Sequence, residues 1–513
     1  MNYHFQNFIK KNQKIIKIFG SEKKIILVDR GRFSNAIYAI YLAKIFNDKF
    51  NLDCIILSDK DNNSDIIKFY KSFGFNKFIK IFNYKKIIFL NIIVSIYIFF
   101  YTIILFFLSY LRGFQWMIDN LKFKDISIGD LIYDTYIRTD HKFLHPKFDI
   151  KLLNIFFKTL YRVHRIEKVF CENKIKSVIV GTYTYAYNEA LSIRIAIKKK
   201  INVLEAGGNI LFNYTSEVIK KGNDYSLVKK NFSKINKIAK KDVLNKFLIK
   251  RVNGKLDLKH TRNIDIKIQN NYKKFTKTKF FDKLKINKKE IKKIILFASH
   301  KFSESPHAKG KLIFRDYYDH FKKTLQFVAN TDQKNNLWLF KPHPSSGEFH
   351  ENNIVAREIK KINNSRILLC PKYLSSSELS KFCDLVITSR GTIGLEFASQ
   401  GKPSLIAGNT VYSDRNLTLQ PKNQKEYFDI LKNLHEIKPL SPKNTLLAKK
   451  ILYYLENFKL DMNNSDIALT LEEELKAKKD YFKYLNIKLS KKKFKEDIYF
   501  KQLKKNIDLL FNS

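Results

Sequence analysis

Three short runs of polar and cationic residues could carry chemistry, and each directly follows a stretch typical of a buried strand. SHK follows IILFA and begins at Ser299, KPHPSS follows LWLF and begins at Lys341, and SRGT follows VIT and begins at Ser389. Open α/β sheets bind their ligands at the carboxyl ends of the strands. Lysine, arginine and histidine at such ends suit a phosphate group. The sequence therefore predicts that three strand ends form one anion-binding site.

The run from Val386 to Ala407 has the pattern of a complete βαβ unit. A β-branched strand ends at a turn containing Gly391 and Thr392, an apolar-periodic helix with Glu396 follows, and a second apolar run begins at Leu405. Backbone N–H groups at the helix start would meet an anion, although Gly391 could serve the turn alone. Glu396 suits a hydrogen bond to a ribose hydroxyl or to the helix start.

Two prolines stiffen the loop that contains the KPHP run. Pro342 and Pro344 fix φ and remove two backbone donors, so the strand must end there. His343 is thereby presented at a strand end, where it could stabilise the charge of a leaving phosphate together with Lys341. A loop histidine bonded to a nearby carbonyl is the alternative. His300 follows the neighbouring strand and is a further donor-side candidate.

These loops resemble a known family. KPHPSSGE at 341–348 and TSRGTIGLEFASQGKPSLIAG at 388–408 are similar to the C-terminal half of bacterial capsule and surface-polysaccharide synthesis proteins, which are GT-B glycosyltransferases and include Kdo transferases. CDP-glycerol glycerophosphotransferases of teichoic acid synthesis are similar in the same loops. The resemblance implies that the donor nucleotide is framed by Lys341, His343, Ser389, Gly391, Thr392 and Glu396. Arg390 could add positive charge there.

Glycosyl transfer also needs a general base for the acceptor hydroxyl, and we expect it in the N-terminal half. GDLIYDTYIR at 129–138 resembles an acceptor-side segment of the same family branch, and FASHKFSESPHAKG at 297–310 fits that branch too. Asp134 is the first candidate base and Asp130 the second. In a helix, Asp134 and Arg138 share one face, which suits an acceptor contact or a structural ion pair.

Two other carboxylates of the N-terminal half are alternative bases. Asp29 stands at a strand end, and Glu189 opens a predicted helix on the acceptor side. Tyr183, Tyr185 and Tyr187 alternate and could line a sugar-binding wall, although alternating tyrosines equally suit a half-buried edge. With Lys341, His343 and the backbone N–H groups after Ser389 as the predicted charge stabilisers, the predicted mechanism uses no metal ion and no other cofactor.

Length and pattern predict an α/β protein of 513 residues with two Rossmann-like doubly wound domains. The family resemblance implies that they face each other across a cleft, the GT-B arrangement. The predicted division is a basic amphipathic segment at 1–20, an acceptor domain at 21–227, a Lys- and Asn-rich connection at 228–293, a donor-nucleotide domain at 294–435, and Lys-rich helices at 436–513 that return to brace the first domain.

The chain is strongly cationic, with 96 Lys and Arg residues against 48 Asp and Glu and a net charge of +48. Lys, Ile, Asn, Phe and Tyr are abundant while Gly and Pro are scarce, which is what an AT-rich coding sequence produces without any binding requirement. No recognised nucleic-acid module is present, and nucleic acid is not predicted as a partner. An anionic membrane surface suits the excess positive charge better.

An uncharged stretch from Ile87 to Leu111 is long enough to cross a membrane. A crossing would place two strands of one predicted sheet on opposite sides of the bilayer. The residues Asn91, Ser95, Thr102 and Ser109 predict a narrow polar stripe that faces the protein. We therefore expect a helix or hairpin that dips into one leaflet, with a buried core helix and a true span as alternatives. The predicted location is cytoplasmic, peripherally or monotopically associated with the inner membrane.

These patterns together predict a metal-independent glycosyltransferase. It would move a sugar from a nucleotide-activated donor to a lipid-linked or growing surface polysaccharide. A CDP-polyol phosphotransferase of the teichoic-acid type, a non-catalytic scaffold in polysaccharide assembly, and sugar-nucleotide epimerisation on the same fold are the alternatives. The four cysteines are scattered without metal-ligand spacing, which indicates reduced thiols.

Overall fold

The computed structural model describes residues 3–12, 22–29, 33–60, 64–82, 92–139, 141–181, 184–207, 210–238, 241–252, 280–282, 286–308, 310–331, 335–371, 374, 376–457, 465–469, 480–491 and 493–511. The chain divides into two compact units. The first contains residues 1–136, 147–216 and 460–513, and the second contains residues 137–146 and 217–459.

The strands are β1 (Lys23–Val28), β2 (Asp53–Ser58), β3 (Lys77–Lys80), β4 (Lys122–Phe123), β5 (Ile126–Ser127), β6 (Lys174–Val180), β7 (Asn202–Gly207), β8 (Ile210–Asn213), β9 (Lys293–Ala298), β10 (Asn336–Lys341), β11 (Ile367–Leu369), β12 (Leu385–Thr388) and β13 (Ser404–Ile406).

The helices are α1 (Tyr3–Asn12), α2 (Phe33–Phe50), α3 (Asp65–Ser72), α4 (Ile92–Asn120), α5 (Gly129–Ile137), α6 (Ile150–Glu172), α7 (Asn188–Lys198), α8 (Ser216–Lys221), α9 (Asn223–Lys230), α10 (Phe232–Asn236), α11 (Lys241–Val252), α12 (Tyr317–Asn330), α13 (Ile354–Lys360), α14 (Ser376–Phe382), α15 (Ile393–Ala398), α16 (Gln424–Lys432), α17 (Pro442–Asn457), α18 (Tyr481–Lys491) and α19 (Ile498–Phe511).

Each unit has its own parallel sheet with the strand order of a Rossmann fold. The first sheet has the order β3-β2-β1-β6-β7-β8, in which only the edge strand β8 is antiparallel, and the second has the order β11-β10-β9-β12-β13. Both orders reverse after their third strand, so the topological switch points lie between β1 and β6 and between β9 and β12. This confirms the predicted fold class, α/β with two Rossmann-like sheets. How the two units are arranged relative to each other stays a prediction.

The register of the second sheet brings three strand ends to one level. Ala298 at the end of β9 lies opposite both Lys341 at the end of β10 and Thr388 at the end of β12. The core strands are buried because their side chains are almost all apolar, with Trp338 fully enclosed. The three polar runs singled out in the sequence therefore begin side by side.

The core of the first unit joins residues from both ends of the chain. Phe8 in α1 stacks on Phe69 with ring centroids 5.3 Å apart, and the Phe5 ring lies 4.4 Å from that of Phe482 in α18. Tyr499 in α19 is fully buried against Tyr38. The amphipathic N-terminal helix and the last two helices thus belong to one hydrophobic core.

The boundaries of the units differ from the predicted division. The helix α17 lies in the second unit, as do the described helices of the stretch 228–293 that we predicted to be a connection. There Val228, Ile235 and Phe247 pack in one core with Ile451 of α17. A separate Lys- and Asn-rich linker is therefore not seen in the described part of this stretch.

The helix α4 is by length and composition able to cross a membrane. Its Gly113 has φ 82° and ψ 169°, which interrupts the helix with a kink. Before the kink most of the helix surface is exposed, and after it Met117 and Ile118 are buried. Of the predicted polar stripe, Thr102 and Ser109 are buried against the first unit and Ser95 is half-buried; Asn91 lies outside the described residues.

Candidate functional site

Arg390, directly after β12, is a buried cation without a carboxylate partner among the described residues. Its side chain donates from Nη2 to the carbonyl oxygen of Gly310 at 2.7 Å, while Nε and Nη1 are buried and have no acceptor. Only 7% of the residue is exposed. A buried charge is costly unless it is paired and hydrogen-bonded. The two unused N–H groups therefore point to an anionic ligand that completes this site.

Two glycines lie next to the Arg390 guanidinium. A Cβ atom on Gly408, after β13, would lie 3.0 Å from Nε of Arg390. Gly310, whose carbonyl accepts from the guanidinium, has φ 95°, and a Cβ there would lie 2.1 Å from the carbonyl oxygen of Lys220. The positive φ of Gly310 and its contact with Lys220 exclude a side chain there, whereas a side chain at Gly408 would crowd the guanidinium.

His343 is a neutral ring that accepts a hydrogen bond at Nδ1. Its Nδ1 accepts from the backbone N–H of Ser345 at 3.2 Å and lies 3.1 Å from the Ser345 hydroxyl. Because a backbone N–H can only donate, Nδ1 carries no proton, and the neutral ring has its proton on Nε2. Burial, with the neighbouring His300 and Lys301, lowers the pKa of His343 to about 3. The ring thus suits stabilisation of developing negative charge, not proton abstraction through Nδ1.

His300 and Lys341 lie at the same edge of the sheet. The ring centroids of His300 and His343 are 5.6 Å apart, and His300 stacks on Tyr317 at 4.2 Å. Its Nδ1 is 3.3 Å from Glu304 without hydrogen-bond geometry. Lys341 donates from Nζ to the carbonyl oxygen of Leu374 at 2.9 Å. The structure therefore brings together the loops after β9 and β10, as the sequence predicted.

Glu351, which the sequence analysis did not single out, ties these two loops together. Its carboxylate accepts from the backbone N–H groups of Phe302 at 2.8 Å and Ser303 at 2.9 Å, and from the Ser303 hydroxyl at 2.6 Å. Only 2% of Glu351 is exposed. Three donors compensate the burial of the charge, so the carboxylate fixes the loop after β9 next to the KPHP loop.

Ser389 is buried, and its hydroxyl is held by a histidine from α12. His320 Nδ1 lies 2.8 Å from Ser389 Oγ, and His320 Nε2 lies 2.9 Å from the hydroxyl of Tyr427. The Thr324 hydroxyl donates its proton to the His320 carbonyl oxygen, so in its contact with Tyr427 it is the acceptor. The Tyr427 hydroxyl therefore donates to Thr324 and accepts from Nε2–H of His320. Nδ1 is therefore free to accept from Ser389. With its proton committed, Ser389 positions the turn and does not donate to a ligand.

This network makes a prediction about acid stability. Burial lowers the pKa of His320 to about 3, well below the ordinary value of about 6.5 in the unfolded chain. The unfolded state therefore binds a proton that the folded state excludes, and stability is lost as the pH falls below about 6.5. We expect His320 to contribute a loss of about 2 kcal/mol between pH 7 and pH 5.

Urea unfolding of wild type and of His320→Gln at both pH values measures this contribution. The variant should lose about 2 kcal/mol less between pH 7 and pH 5 than wild type. His435→Gln, at a position whose side chain is 77% exposed, should keep the wild-type dependence. An unchanged pH dependence in His320→Gln would contradict the assignment of a neutral, buried imidazole.

Tyr412 holds the turn after Ser389 through a hydrogen bond to its backbone. The Tyr412 hydroxyl donates to the carbonyl oxygen of Gly391 at 2.6 Å, and the N–H of Gly391 donates to Thr388 Oγ1 at 3.2 Å. A Cβ on Gly394 would lie 2.4 Å from the same hydroxyl. This close approach explains the glycine at 394, whereas Thr392 is exposed at the start of α15.

Glu396, predicted to contact the donor or cap the helix, is bound by an arginine from α11. Arg251 donates to Glu396 Oε1 from Nε at 3.2 Å and from Nη2 at 2.8 Å, and its Nη1 donates to Glu456 in α17. Burial alone would lower the pKa of Arg251, but the two carboxylates raise it. The carboxylate of Glu396 thus joins α15 to two other helices.

The predicted bases lie in the first unit, in different surroundings. Both carboxylate oxygens of Asp130 accept from Arg194, at 2.6 and 2.5 Å, which is a bidentate ion pair. Asp134 is only 1% exposed. Arg138 follows α5 and is exposed. Tyr183 lies outside the described residues. Neither aspartate stands at a strand end of the sheet.

Other carboxylates of the first unit do lie at the carboxyl edge of its sheet. Glu189, at the start of α7, accepts from the N–H of Gly181 after β6 at 3.1 Å and is 5% exposed. Asp29, after β1, accepts from Ser58 at 2.8 Å. Asp59, after β2, is bound by Arg162 at 3.0 Å. Glu189 and Asp29 follow the two strands that flank the switch point.

No protein-family model and no curated protein matches the sequence. Solved structures similar to it include UDP-GlcNAc 2-epimerase of Methanocaldococcus jannaschii in complex with UDP-GlcNAc and UDP, with 13% identity, coverage of 85% of this chain and 99% of that chain, and a TM-score of 0.26. The beta Kdo 2,7 transferase KpsC of Thermosulfurimonas dismutans has 14% identity, covers 56% and 80%, and has a TM-score of 0.29.

A glycosyltransferase of Rickettsia africae ESF-5 is also similar, with 12% identity, coverage of 91% of this chain and 99% of that chain, and a TM-score of 0.24. At these identities and TM-scores the likeness carries no argument about activity. Function has to be argued from the chemistry of a site. The chain is therefore placed by its own sheet topology among Rossmann-like α/β proteins, and its activity is argued from its own residues.

Proposed function

We propose that this protein is a glycosyltransferase that takes a sugar from a nucleotide-activated donor and transfers it to a lipid-linked or growing surface polysaccharide. The observation that carries the proposal is the buried Arg390 guanidinium, whose Nε and Nη1 have no acceptor among the described residues. It stands beside the switch point of the second sheet, the usual place for a nucleotide in such folds. The anion that fits it is the phosphate of the donor.

The roles of the donor-side residues follow from what the reaction needs. The bond between the sugar and the nucleotide phosphate breaks, and negative charge develops on the leaving phosphate. Arg390 pairs with that phosphate through Nε and Nη1. His343 offers Nε2–H from a neutral ring, and Lys341 adds positive charge from the adjacent loop. All of these groups follow parallel strands whose ends are level.

The acceptor hydroxyl has to lose its proton to a base. Glu189 and Asp29 are the better candidates, because they lie at the carboxyl edge of the first sheet next to its switch point. Asp130 is less suitable because both of its oxygens accept from Arg194. Asp134 keeps a place among the candidates as an acceptor-side residue of the 129–138 segment.

A screen of nucleotides and nucleotide sugars by thermal unfolding tests donor binding. A ligand at 100 times its dissociation constant should stabilise the protein by about 2.7 kcal/mol. The stabilising donor is then incubated with a lipid-linked oligosaccharide, and the product is analysed by mass spectrometry. Addition of a sugar with release of the nucleotide is the expected result. A new phosphodiester would show a polyol phosphotransferase instead, and sugar interconversion without acceptor would show an epimerase.

His343→Ala separates an enzyme from a non-catalytic scaffold. Removing one preorganised donor to a developing charge commonly costs about 10²- to 10³-fold in turnover. We expect that loss in kcat for transfer, with donor binding reduced much less. The matched control is His435→Ala in the same unit, where the side chain is 77% exposed. Unchanged turnover in His343→Ala would remove the KPHP loop from the reaction.

A further inference from the structure

The helix α4 has an exposed apolar surface on the first unit. Its segment from Ile92 to Leu111 contains no charged residue. Large apolar side chains that are at least 40% exposed occur along its whole length. They are Ile92, Ile93, Ile96, Tyr97, Phe99, Phe100, Tyr101, Ile103, Ile104, Phe107, Tyr110 and Leu111. Such a surface is far larger than the scattered apolar residues of an ordinary protein exterior.

Only a narrow stripe of this segment is buried against the protein. It consists of Ile98, Thr102 and Ser109. The hydroxyl of Thr102 donates to the carbonyl oxygen of Ile98 at 2.7 Å, and that of Ser109 donates to Leu105 at 2.7 Å. At 3.6 residues per turn, the exposed apolar side chains cover an arc of about 200°. The hydroxyls of Thr102 and Ser109 are therefore hydrogen-bonded on the buried side of the helix. The exposed arc is aliphatic and aromatic, and tyrosine hydroxyls are its only side-chain polar groups.

The packing of α4 shows that it does not stand free of the first unit. Phe106 contacts Phe148 and Phe156, with ring centroids 5.6 and 5.5 Å apart, and Phe156 lies in α6. The helix α6 carries basic residues such as Arg162 and Lys168 along its length. Because charged residues are costly in a bilayer core, α4 cannot cross a membrane while it is packed on α6.

The kink at Gly113 returns the chain to the protein. Arg112 is exposed at the end of the apolar segment, and beyond the kink Met117 is fully buried. At 1.5 Å per residue the exposed segment is about 30 Å long. An apolar helix face of this length, with a basic residue at its end and a cationic protein behind it, is typical of helices that lie in the plane of a membrane interface.

We propose that the outward face of α4 docks this protein onto an anionic lipid bilayer, with the helix lying in one leaflet parallel to the surface. A fluid bilayer can surround an arc of about 200°, whereas a second protein meets a single convex helix only along a stripe. The net charge of +48 adds attraction to anionic headgroups. The exposed Tyr97, Tyr101 and Tyr110 suit the interface between headgroups and acyl chains.

Flotation with vesicles tests this docking. The purified full chain is mixed with vesicles of phosphatidylcholine and phosphatidylglycerol at about 7:3, or of phosphatidylcholine alone. The outward variant Phe99→Glu/Ile103→Glu/Phe107→Glu places three charges on the exposed arc. The control variant Ile249→Glu/Tyr484→Glu/Ile487→Glu makes the same change of charge at other exposed apolar positions. Circular dichroism checks that both variants are folded.

We expect wild type and the control variant to float with the anionic vesicles and the outward variant to lose at least about tenfold in partitioning. Equal flotation of the two variants would overturn the proposal. So would a wild type that stays unbound and forms dimers that only the outward variant disrupts, since the face would then bind a second copy. Nucleotide stabilisation should persist in all three proteins, so failure of docking is distinguishable from failure of the proposed transferase activity.

Impermeant protease added outside sealed vesicles distinguishes a helix in one leaflet from a span. All of the docked chain outside the leaflet should be degraded, because it remains on the outer side. A large fragment that is protected until detergent is added would show that part of the chain has crossed the bilayer, and would overturn the parallel arrangement.

Discussion

Replacing Arg390 with methionine should weaken donor binding about 10²- to 10³-fold and at the same time make the unliganded protein more stable. The guanidinium is 7% exposed and leaves Nε and Nη1 without acceptors. Each unsatisfied buried donor costs about 1–3 kcal/mol, and methionine has a similar length without these donors. The bound phosphate, in turn, loses charge-assisted hydrogen bonds worth about 1.5–3 kcal/mol each.

Titration calorimetry with the nucleotide and urea unfolding without it measure the two effects of Arg390→Met. Arg390→Lys should retain the charge but lose the forked geometry, and bind between wild type and Arg390→Met. Arg357→Met, at an exposed arginine in α13, should change neither quantity. If Arg390→Met binds the nucleotide with wild-type affinity, Arg390 does not bind the phosphate. If the unliganded variant is less stable than wild type, the arginine has a structural role instead.

Replacing Arg251 with methionine should destabilise the second unit by about 3–5 kcal/mol. Arg251 is the shared partner of Glu396 in α15 and Glu456 in α17, and its side chain is 7% exposed. Without it two partly desolvated carboxylates are left without a cation beside them, which is why breaking a buried ion pair is costly.

Two further variants test whether uncompensated buried charge causes the loss of stability in Arg251→Met. Combining Arg251→Met with Glu396→Gln and Glu456→Gln removes the uncompensated charges and should restore most of the lost stability. Arg366→Met breaks a pair with Glu290 that is largely exposed on the Glu290 side, and should cost at most about 1 kcal/mol. If urea unfolding shows the same small cost for Arg251→Met, the ion pairs of Arg251 with Glu396 and Glu456 contribute little to the stability of the second unit.

The sequence was a good guide wherever the signal was local. The strands ending at Ala298, Lys341 and Thr388 were recognisable from short apolar runs followed by polar residues. Parallel strands of a Rossmann-like unit have their carboxyl ends at one edge, so the meeting of the three loops could be predicted. The inward stripe of Thr102 and Ser109 was predictable for the same reason, because helical spacing alone puts them on one face.

What the sequence did not reveal depends on contacts between distant residues. His320 sits within a helix with no local pattern around it, yet its ring binds Ser389, which is 69 positions away. The pairing of Glu396 with Arg251 spans 145 positions. Arg390 is buried beside Gly408 and bonded to the carbonyl oxygen of Gly310, and only the folded loops bring these two residues to it. Residues that far apart in the chain are not linked by any repeating pattern of residue types, so the sequence alone could not pair them.

The boundaries of the units also depend on contacts between distant residues. Residues 137–146 belong to the second unit although Ile137 is the last residue of α5, and residues 460–513, for which the sequence analysis expected a return to the first domain, belong to the first. Composition changes mark linkers, but here the chain leaves one unit and re-enters it without a Gly- or Pro-rich boundary. The apolar contacts of Phe482 and Tyr499 with residues near the N-terminus show which core the last helices join.

The joining of both chain ends in one core has a consequence for how the protein is made. On the ribosome, residues 217–459 are synthesised before α18 and α19, so the unit that contains Arg390 and His343 can begin to fold before the first unit is complete. Until then Phe5 and Phe8 lack their packing partner Phe482. Nascent chains therefore expose Phe5 and Phe8 until α18 has been synthesised.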